Sequence, residues 1–188
     1  MKEDIALHEY TSIEDSAAEL LSKQVKDAFF SLEIKELSQT AAESLSKFQG
    51  EWLYLDKLEN TCDSIYVILS KCQANLSLGM DELSDEAAKI LSKHQGKLIL
   101  CGLPKISDLA AEHLSKHKGP LEFNVLSKLS DNAFESLSKL EGHLSIDYID
   151  EISDAAAESL SKHRGGLSIG TSFEMSDTAR ESLSNYQG

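Results

Sequence analysis

A word of about 23 residues, written repeatedly from one end of the chain to the other, constrains its fold more than any other feature. From Gly96 to Gly119 it reads GKLILCGLPKISDLAAEHLSKHKG, and from Gly119 to Gly142 GPLEFNVLSKLSDNAFESLSKLEG. Gly142 to Gly165 gives GHLSIDYIDEISDAAAESLSKHRG, and Gly165 to Gly188 gives GGLSIGTSFEMSDTARESLSNYQG. Upstream the word continues with more wear. Asn75 to Gly96 keeps Leu76, Leu78 and LSDEAAKILSKHQG, one residue short, and Gly50 to Ala74 keeps Leu53, Leu55 and Leu58 ahead of CDSIYVILSKCQA. Asp27 to Gly50 has Phe30, Leu32 and LSQTAAESLSKFQG, and a first copy near Glu3 to Lys26 has Ile5, Leu7 and IEDSAAELLSKQ. Self-similarity at such a period is the mark of a solenoid, so residues 1–188 read as one repeat domain of about eight units of 22–24 residues.

Each unit holds two periodicities. The L-x-L piece alternates and predicts a short strand with one face buried. The S-D-x-A-A-x-x-L-S-K-H piece predicts a helix of about ten residues. In one copy Ser107 or Asp108 supplies the N-cap, Ile106 stands where a hydrophobic staple would, and Gly119 is placed to end the helix as a C-cap. Ala110, Ala111, Leu114 and His117 share one face. Glu112 and Lys116 form an i, i+4 pair that recurs as Glu19/Lys23, Glu43/Lys47, Glu135/Lys139 and Glu158/Lys162.

A lone strand and helix cannot bury their own apolar faces, whereas stacked copies can. The predicted class is therefore α/β: a right-handed solenoid with a parallel sheet on one side and short helices on the other. Strands stack about 4.8 Å apart and helices about 8–10 Å apart, so the sheet should be the concave side and the helices the convex side.

The sequence resembles the leucine-rich repeat family. The resemblance is carried by Leu53/Leu55, Leu76/Leu78, Leu98/Leu100, Leu121/Phe123, Leu144/Ile146 and Leu167/Ile169, each pair followed by a helix, and it covers essentially the whole chain. It is most similar to irregular bacterial repeats with an S-D-x-A-A-E-x-L helix. One departure stands out: the asparagine usual after L-x-L-x-x is replaced by Leu58, Leu103, Leu126 and Ile149, so the turn must be closed by backbone or water contacts. The resemblance implies a binding scaffold, usually for proteins.

Composition bounds the partner. Eighteen basic residues against 32 acidic ones give a net charge of −14, which repels nucleic-acid phosphates and anionic membranes and favours encounter with a basic protein. No apolar run approaches the roughly 20 residues of a membrane span, and the charged start Met1-Lys2-Glu3-Asp4 has no signal-peptide core, so a cytoplasmic protein is expected. The cysteines, Cys62, Cys72 and Cys101, are odd in number and have no metal-ligand spacing. Cys62 and Cys72 fall about 15 Å apart along a helix, too far for a disulfide.

Core positions repeat faithfully; the outward strand positions do not. Along the stack these variable positions run through His8, Ser31, Glu33, Trp52, Tyr54, Asp56, Ser77, Ile99, Cys101, Glu122, Asn124, His143, Ser145, Asp147, Ser168 and Gly170. Among them Trp52, Tyr54, Asp56, Ile99, Glu122, Asn124, His143 and Asp147 are the candidate partner-binding residues. Trp52 and Tyr54 are the expected anchors, since aromatics dominate interface hot spots, and Asp56, Glu122 and Asp147 would meet basic groups. His94, His117 and His163 share one slot, but equivalent slots in neighbouring repeats lie too far apart for a zinc site. The slot also takes Phe48, Leu140 and Tyr186, and it reads as a semi-buried aromatic position at a helix C-terminus, where positive charge is welcome.

The chain carries no G-x-S-x-G, P-loop or H-E-x-x-H motif, and its many serines belong to the repeated LSK and LSD words. These features predict a non-enzymatic protein-interaction scaffold with no cofactor and no metal, docking its partner on the concave sheet. It would be a monomer or a weak end-to-end dimer. A glycan or small-ligand module using the same aromatics is the alternative, as is the repeat segment of a larger multidomain protein. Arg180 stands where other copies hold a core residue, which suits a unit with one wet face, and Ile65 and Tyr66 replace the paired alanines in the most divergent copy.

Overall fold

The computed structural model describes residues 5–7, 11–24, 29–59, 61–170 and 174–188, the first of these as backbone. Strands and helices alternate without exception among them: β1 (Ile5–Leu7), α1 (Asp15–Ser22), β2 (Phe29–Leu32), α2 (Gln39–Leu45), β3 (Trp52–Leu55), α3 (Asp63–Leu69), β4 (Asn75–Gly79) and α4 (Asp85–Leu91). Then follow β5 (Leu98–Cys101), α5 (Asp108–Leu114), β6 (Leu121–Phe123), α6 (Asp131–Leu137), β7 (Leu144–Ile146), α7 (Asp154–Ser161), β8 (Leu167–Ile169) and α8 (Asp177–Ser184).

The strands form one parallel sheet in chain order. Its register is the one the motif dictates: Leu53 pairs with Leu76, Leu76 with Leu98, Leu98 with Leu121, Leu121 with Leu144 and Leu144 with Leu167. Each strand reaches its parallel neighbour through a helix, a crossover that is right-handed in nearly all proteins. The result is a leucine-rich-repeat-like solenoid with its sheet on the concave side and its helices on the convex side. The His94 and His117 rings, in equivalent slots of adjacent repeats, sit 6.2 Å apart. That spacing lies between the strand and helix repeats.

One continuous core fills the coil. Leu53, Leu76, Leu98, Leu121 and Leu144 form one buried row, and Leu55, Leu78, Leu100, Phe123 and Ile146 form a second. The row where asparagine was missing is Leu58, Leu103, Leu126 and Ile149, all buried. Backbone bonds close that turn from rung to rung instead: Lys35 N–H donates to Thr11 O (2.7 Å), Glu59 to Lys35 (2.9 Å), Asp150 to Ser127 (3.0 Å) and Glu174 to Asp150 (2.9 Å). The paired alanines of α2, α4, α5 and α7 are buried in the core, Ala18 of α1 is buried while Ala17 is half-buried, and Ile65 and Tyr66 take the place of the pair in α3. Arg180 is exposed, while Leu167 and Ile169 are only half-buried.

Three expectations are corrected. The helices span seven or eight residues, Asp108–Leu114 for instance, not about ten. Past Leu114 the chain tightens into i to i−3 bonds, Lys116 N–H to His113 O (3.1 Å) and His117 N–H to Leu114 O (2.9 Å), so the LSK tail is a 3₁₀-type last turn. Second, Gly119 is not a left-handed C-cap. The C-cap is Ser115 in right-handed geometry, and the one glycine with positive φ among the described residues is Gly102. Gly119 is required for close approach, since a Cβ there would lie 2.4 Å from Gly96 O, as one on Gly142 would from Gly119 O. Third, Glu43 does not pair with Lys47 but accepts from the Gln39 side-chain amide (3.0 Å), whereas the four other predicted pairs form at 2.8–2.9 Å.

The N-cap is Ser107, not Asp108: its Oγ accepts from Ala110 N–H at 2.9 Å. The same serine donates onward to Asp85 of the preceding repeat. Ser38 does so to Asp15 (2.5 Å), Ser84 to Asp63 (3.2 Å), Ser130 to Asp108 (2.5 Å), Ser153 to Asp131 (2.5 Å) and Ser176 to Asp154. The S-D of each LSD word is thus a ladder joining successive helix N-termini. It lapses between α2 and α3, where Gln39 replaces the aspartate and Cys62 caps without a side-chain bond to the helix backbone.

Candidate functional site

The concave face is ruled into rows by the register. Tyr54 stands beside Ser77, then Ile99, Glu122, Ser145 and Ser168. Trp52 stands beside Asn75. Asp56, Asn124 and Asp147 leave the ends of β3, β6 and β7, and His143 precedes β7. All eight candidate residues therefore lie on this face or its edges. Trp52, Tyr54, Ile99, Glu122, Asn124 and His143 are half-buried, and Asp56 and Asp147 are exposed. His8 lies outside the described residues.

The structure gathers some of these residues and separates others. The Trp52 and Tyr54 rings stack with centroids 5.1 Å apart and planes 10° from parallel. Lys97 places its ammonium 5.6 Å from the centre of the Trp52 ring, and the same ammonium is 2.5 Å from a Glu122 carboxylate oxygen. Glu122 is thus already paired within the chain. Burial, and then the carboxylates of Asp56, Glu51 and Glu122, push the Tyr54 hydroxyl above its ordinary pKa. Asp56 accepts from the Cys101 thiol at 3.6 Å, and Cys101 is pushed up to about 11, chiefly by burial. It is a buried neutral thiol, not a reactive one.

Of the remaining candidates, Ile99 stands between Ser77 and Glu122, Asn124 reaches back to the Cys101–Gly102 segment, and His143 and Asp147 lie farther along the stack. His143 Nε2 lies 3.2 Å from the Ser168 hydroxyl, and Ser145 donates to Asp147 at 3.0 Å. Asn124 accepts from the Gly102 backbone N–H (3.1 Å), supporting the one positive-φ glycine described. Beside these residues Val125 (44% exposed) and Tyr148 (66% exposed) project from neighbouring strand exits. Sequence reasoning passed over both, and Lys97 as well. Val125 and Tyr148 sit one residue outside the positions taken as outward-facing, whereas Lys97 stands in the same row as Trp52 and His143 and was passed over there.

Three positions expected to face outward are covered: Ser77, Cys101 and Ser145 are all buried. Short side chains between taller ones, such as Ser77 between Tyr54 and Ile99, are screened from water by their neighbours. Elsewhere, an open hollow on the helix side is lined by Glu135, Lys139, Glu158 and Lys162, residues of the repeated motif itself.

The histidine column is deeper than the sequence implies. His94, His117 and His163 are fully buried rather than semi-buried. The rings of His94 and His117 run 6° from parallel at 6.2 Å, a stack and not a convergent ligand set. None of their four ring nitrogens has a hydrogen-bond partner, although backbone carbonyls such as Ser70 O and Ser92 O lie near and partly oppose the effect of burial. Burial pushes both imidazoles below their ordinary pKa, so the slot holds neutral rings and does not welcome charge. His163 differs: its nitrogens lie 3.0 Å from Ser138 O and 3.2 Å from Gly166 O.

No family model matches this chain, and no curated protein sequence does. Among solved structures, a chain in the crystal structure of the Rad7 and Elc1 complex in yeast is similar, with a TM-score of 0.59 and 15% identity over 92% of this chain. That likeness shows the repeat fold. The match takes in 49% of the yeast chain, so this chain spans about half its length. No helix among the described residues is long and apolar enough to cross a membrane.

Proposed function

We propose that the chain is a non-enzymatic scaffold that docks a protein partner on its concave sheet. One observation carries this reading. In a coil whose interior repeats rung after rung, the outer row is broken by a stacked, half-exposed Trp52–Tyr54 pair bordered by carboxylates. Half-buried aromatics supply large contact area at little entropic cost, and repeat folds use such extended faces for binding. The structurally similar yeast chain comes from a complex of two proteins, which fits a protein partner here.

Replacing both anchors, Trp52→Ala with Tyr54→Ala, should abolish capture of a partner by the immobilised chain and leave thermal stability within a few degrees of the parent. Both side chains stand outside the buried core rows, so folding should survive. A captured partner retained undiminished by the double variant would remove this surface from consideration. A saccharide whose binding depended on Trp52 would instead make the face a glycan site.

A further inference from the structure

The aromatic pair sits among carboxylates, and one cation already lies upon it. Lys97 sets its ammonium over the Trp52 ring and holds Glu122 at the same time. An aromatic face with a carboxylate beside it is a cation site, because the ring's negative face and the carboxylate attract the same charge. Tyr54 and Asp56 present that combination a second time, since Asp56 is exposed and makes no ion pair among the described residues. Glu51, also exposed, adds to the negative field at Tyr54. The whole chain carries a net charge of −14, so its long-range field draws in a basic segment.

We infer that the concave face recognises a cationic side chain, arginine foremost, on a basic segment of the protein partner, seated on Tyr54 and Asp56 beside the Lys97–Glu122 pair. This rests on the docking surface proposed above. Arginine fits better than lysine because its planar guanidinium stacks on a ring while its fork engages a carboxylate. Lys97 is then a resident competitor, holding the neighbouring half of the site and repelling a second cation.

Trp52 is the one tryptophan in the chain, so its emission reports directly on this face. The probe is an eight-residue peptide alternating arginine and serine, compared with its citrulline counterpart, which keeps the shape and loses the charge. The arginine peptide should change Trp52 emission saturably, and the citrulline peptide should bind at least about fivefold more weakly. Tyr54→Ala should weaken arginine-peptide binding by about the same factor, and Lys97→Gln should tighten it about threefold. Asp56→Asn with Glu51→Gln should weaken it more than Glu112→Gln with Glu158→Gln, which removes the same charge from the helix face.

Equal responses to the two peptides, or equal losses in the two charge-removal variants, overturn cation recognition while leaving the concave face as a docking surface. A fluorescein-labelled arginine peptide that binds without altering Trp52 emission, and binds Trp52→Ala as well as the parent, overturns the docking surface too. No response to either peptide at about 1 mM overturns the cation site.

Discussion

At the scale of single residues, the histidine column makes the sharpest demand on conditions. His94 and His117 are buried, parallel and without hydrogen-bond partners; burial disfavours protonation of both, and at His94 the neighbouring His117 ring, 6.2 Å away, adds to it. Their pKa values in the folded chain lie below those of the unfolded chain, near 6.5. The unfolded chain therefore binds protons first. Stability from the neutral pair is fully present above about pH 6.5 and is lost as pH falls from there through the folded values. Urea midpoints measured from pH 7.5 to pH 5 should fall for the parent chain. They should stay nearly flat for the double replacement His94→Leu and His117→Leu. Leucine is the apt substitute because Leu140 already fills the same slot in another repeat, 1% exposed. A midpoint that falls equally in both proteins would place the acid sensitivity elsewhere. The sequence identified the slot and its tolerance for aromatics. It misjudged the charge, because a helix C-terminus favours a cation only while water still reaches it, and depth is not written in a local motif.

At the scale of elements, the Ser–Asp ladder adds a second set of ties, at the helix N-termini, to the backbone bonds that close the turn, and it joins successive repeats except between α2 and α3. Each capping serine accepts from its own helix and donates to the helix before, so one hydroxyl meets two obligations at once. The lapse at α3 points to a stabilising repair. Cys62→Ser should restore the cap, worth about 1 kcal/mol, and combining it with Gln39→Asp should complete the rung. In a chain of this length each kcal/mol raises Tm by roughly 2–4 °C, and calorimetry would measure it. No rise in the double variant would mean that the ladder is an ornament of the capping geometry and no link between repeats. Strands, helices and caps were all legible because each has its own periodicity or its own residue type. The glycine column was legible as a column but not in its reason. A glycine a few residues past a helix looks like a stop signal until the neighbouring rung shows that a Cβ has nowhere to go. The eight candidate residues could be assigned to the sheet face or its edges from sequence because the alternation that marks the strands also marks their outward positions. Lys97 escaped notice because its partners, Trp52 and Glu122, stand 45 residues before it and 25 after, close only once the register is known.

At the scale of the whole molecule, a solenoid is nearly one-dimensional, so its stability is a sum of repeat terms and contacts between neighbours, and it opens first where that sum is poorest. Two weaknesses coincide toward its N-terminal side. α1 begins at Glu14 without a side-chain cap bond, and the ladder is broken between α2 and α3. From α4 to α8 every helix is capped and every rung of the ladder is made. Strand amides of β2 and β3 should therefore exchange with solvent by a lower-energy opening than those of β5 and β6, a difference that native-state hydrogen exchange resolves residue by residue. Uniform protection across β2 to β6 would show a single cooperative block and sink the argument. The consequence for binding follows from position, because Trp52 and Tyr54 lie on β3, beside the break, while Lys97 and Glu122 belong to the well-laddered side. A partner that engages both sides bridges the weak junction, and by linkage it must stabilise β2 and β3 more than β6 and β7. Exchange measured with and without saturating arginine peptide should slow most at β3, tying the stability map of the coil to the surface it presents.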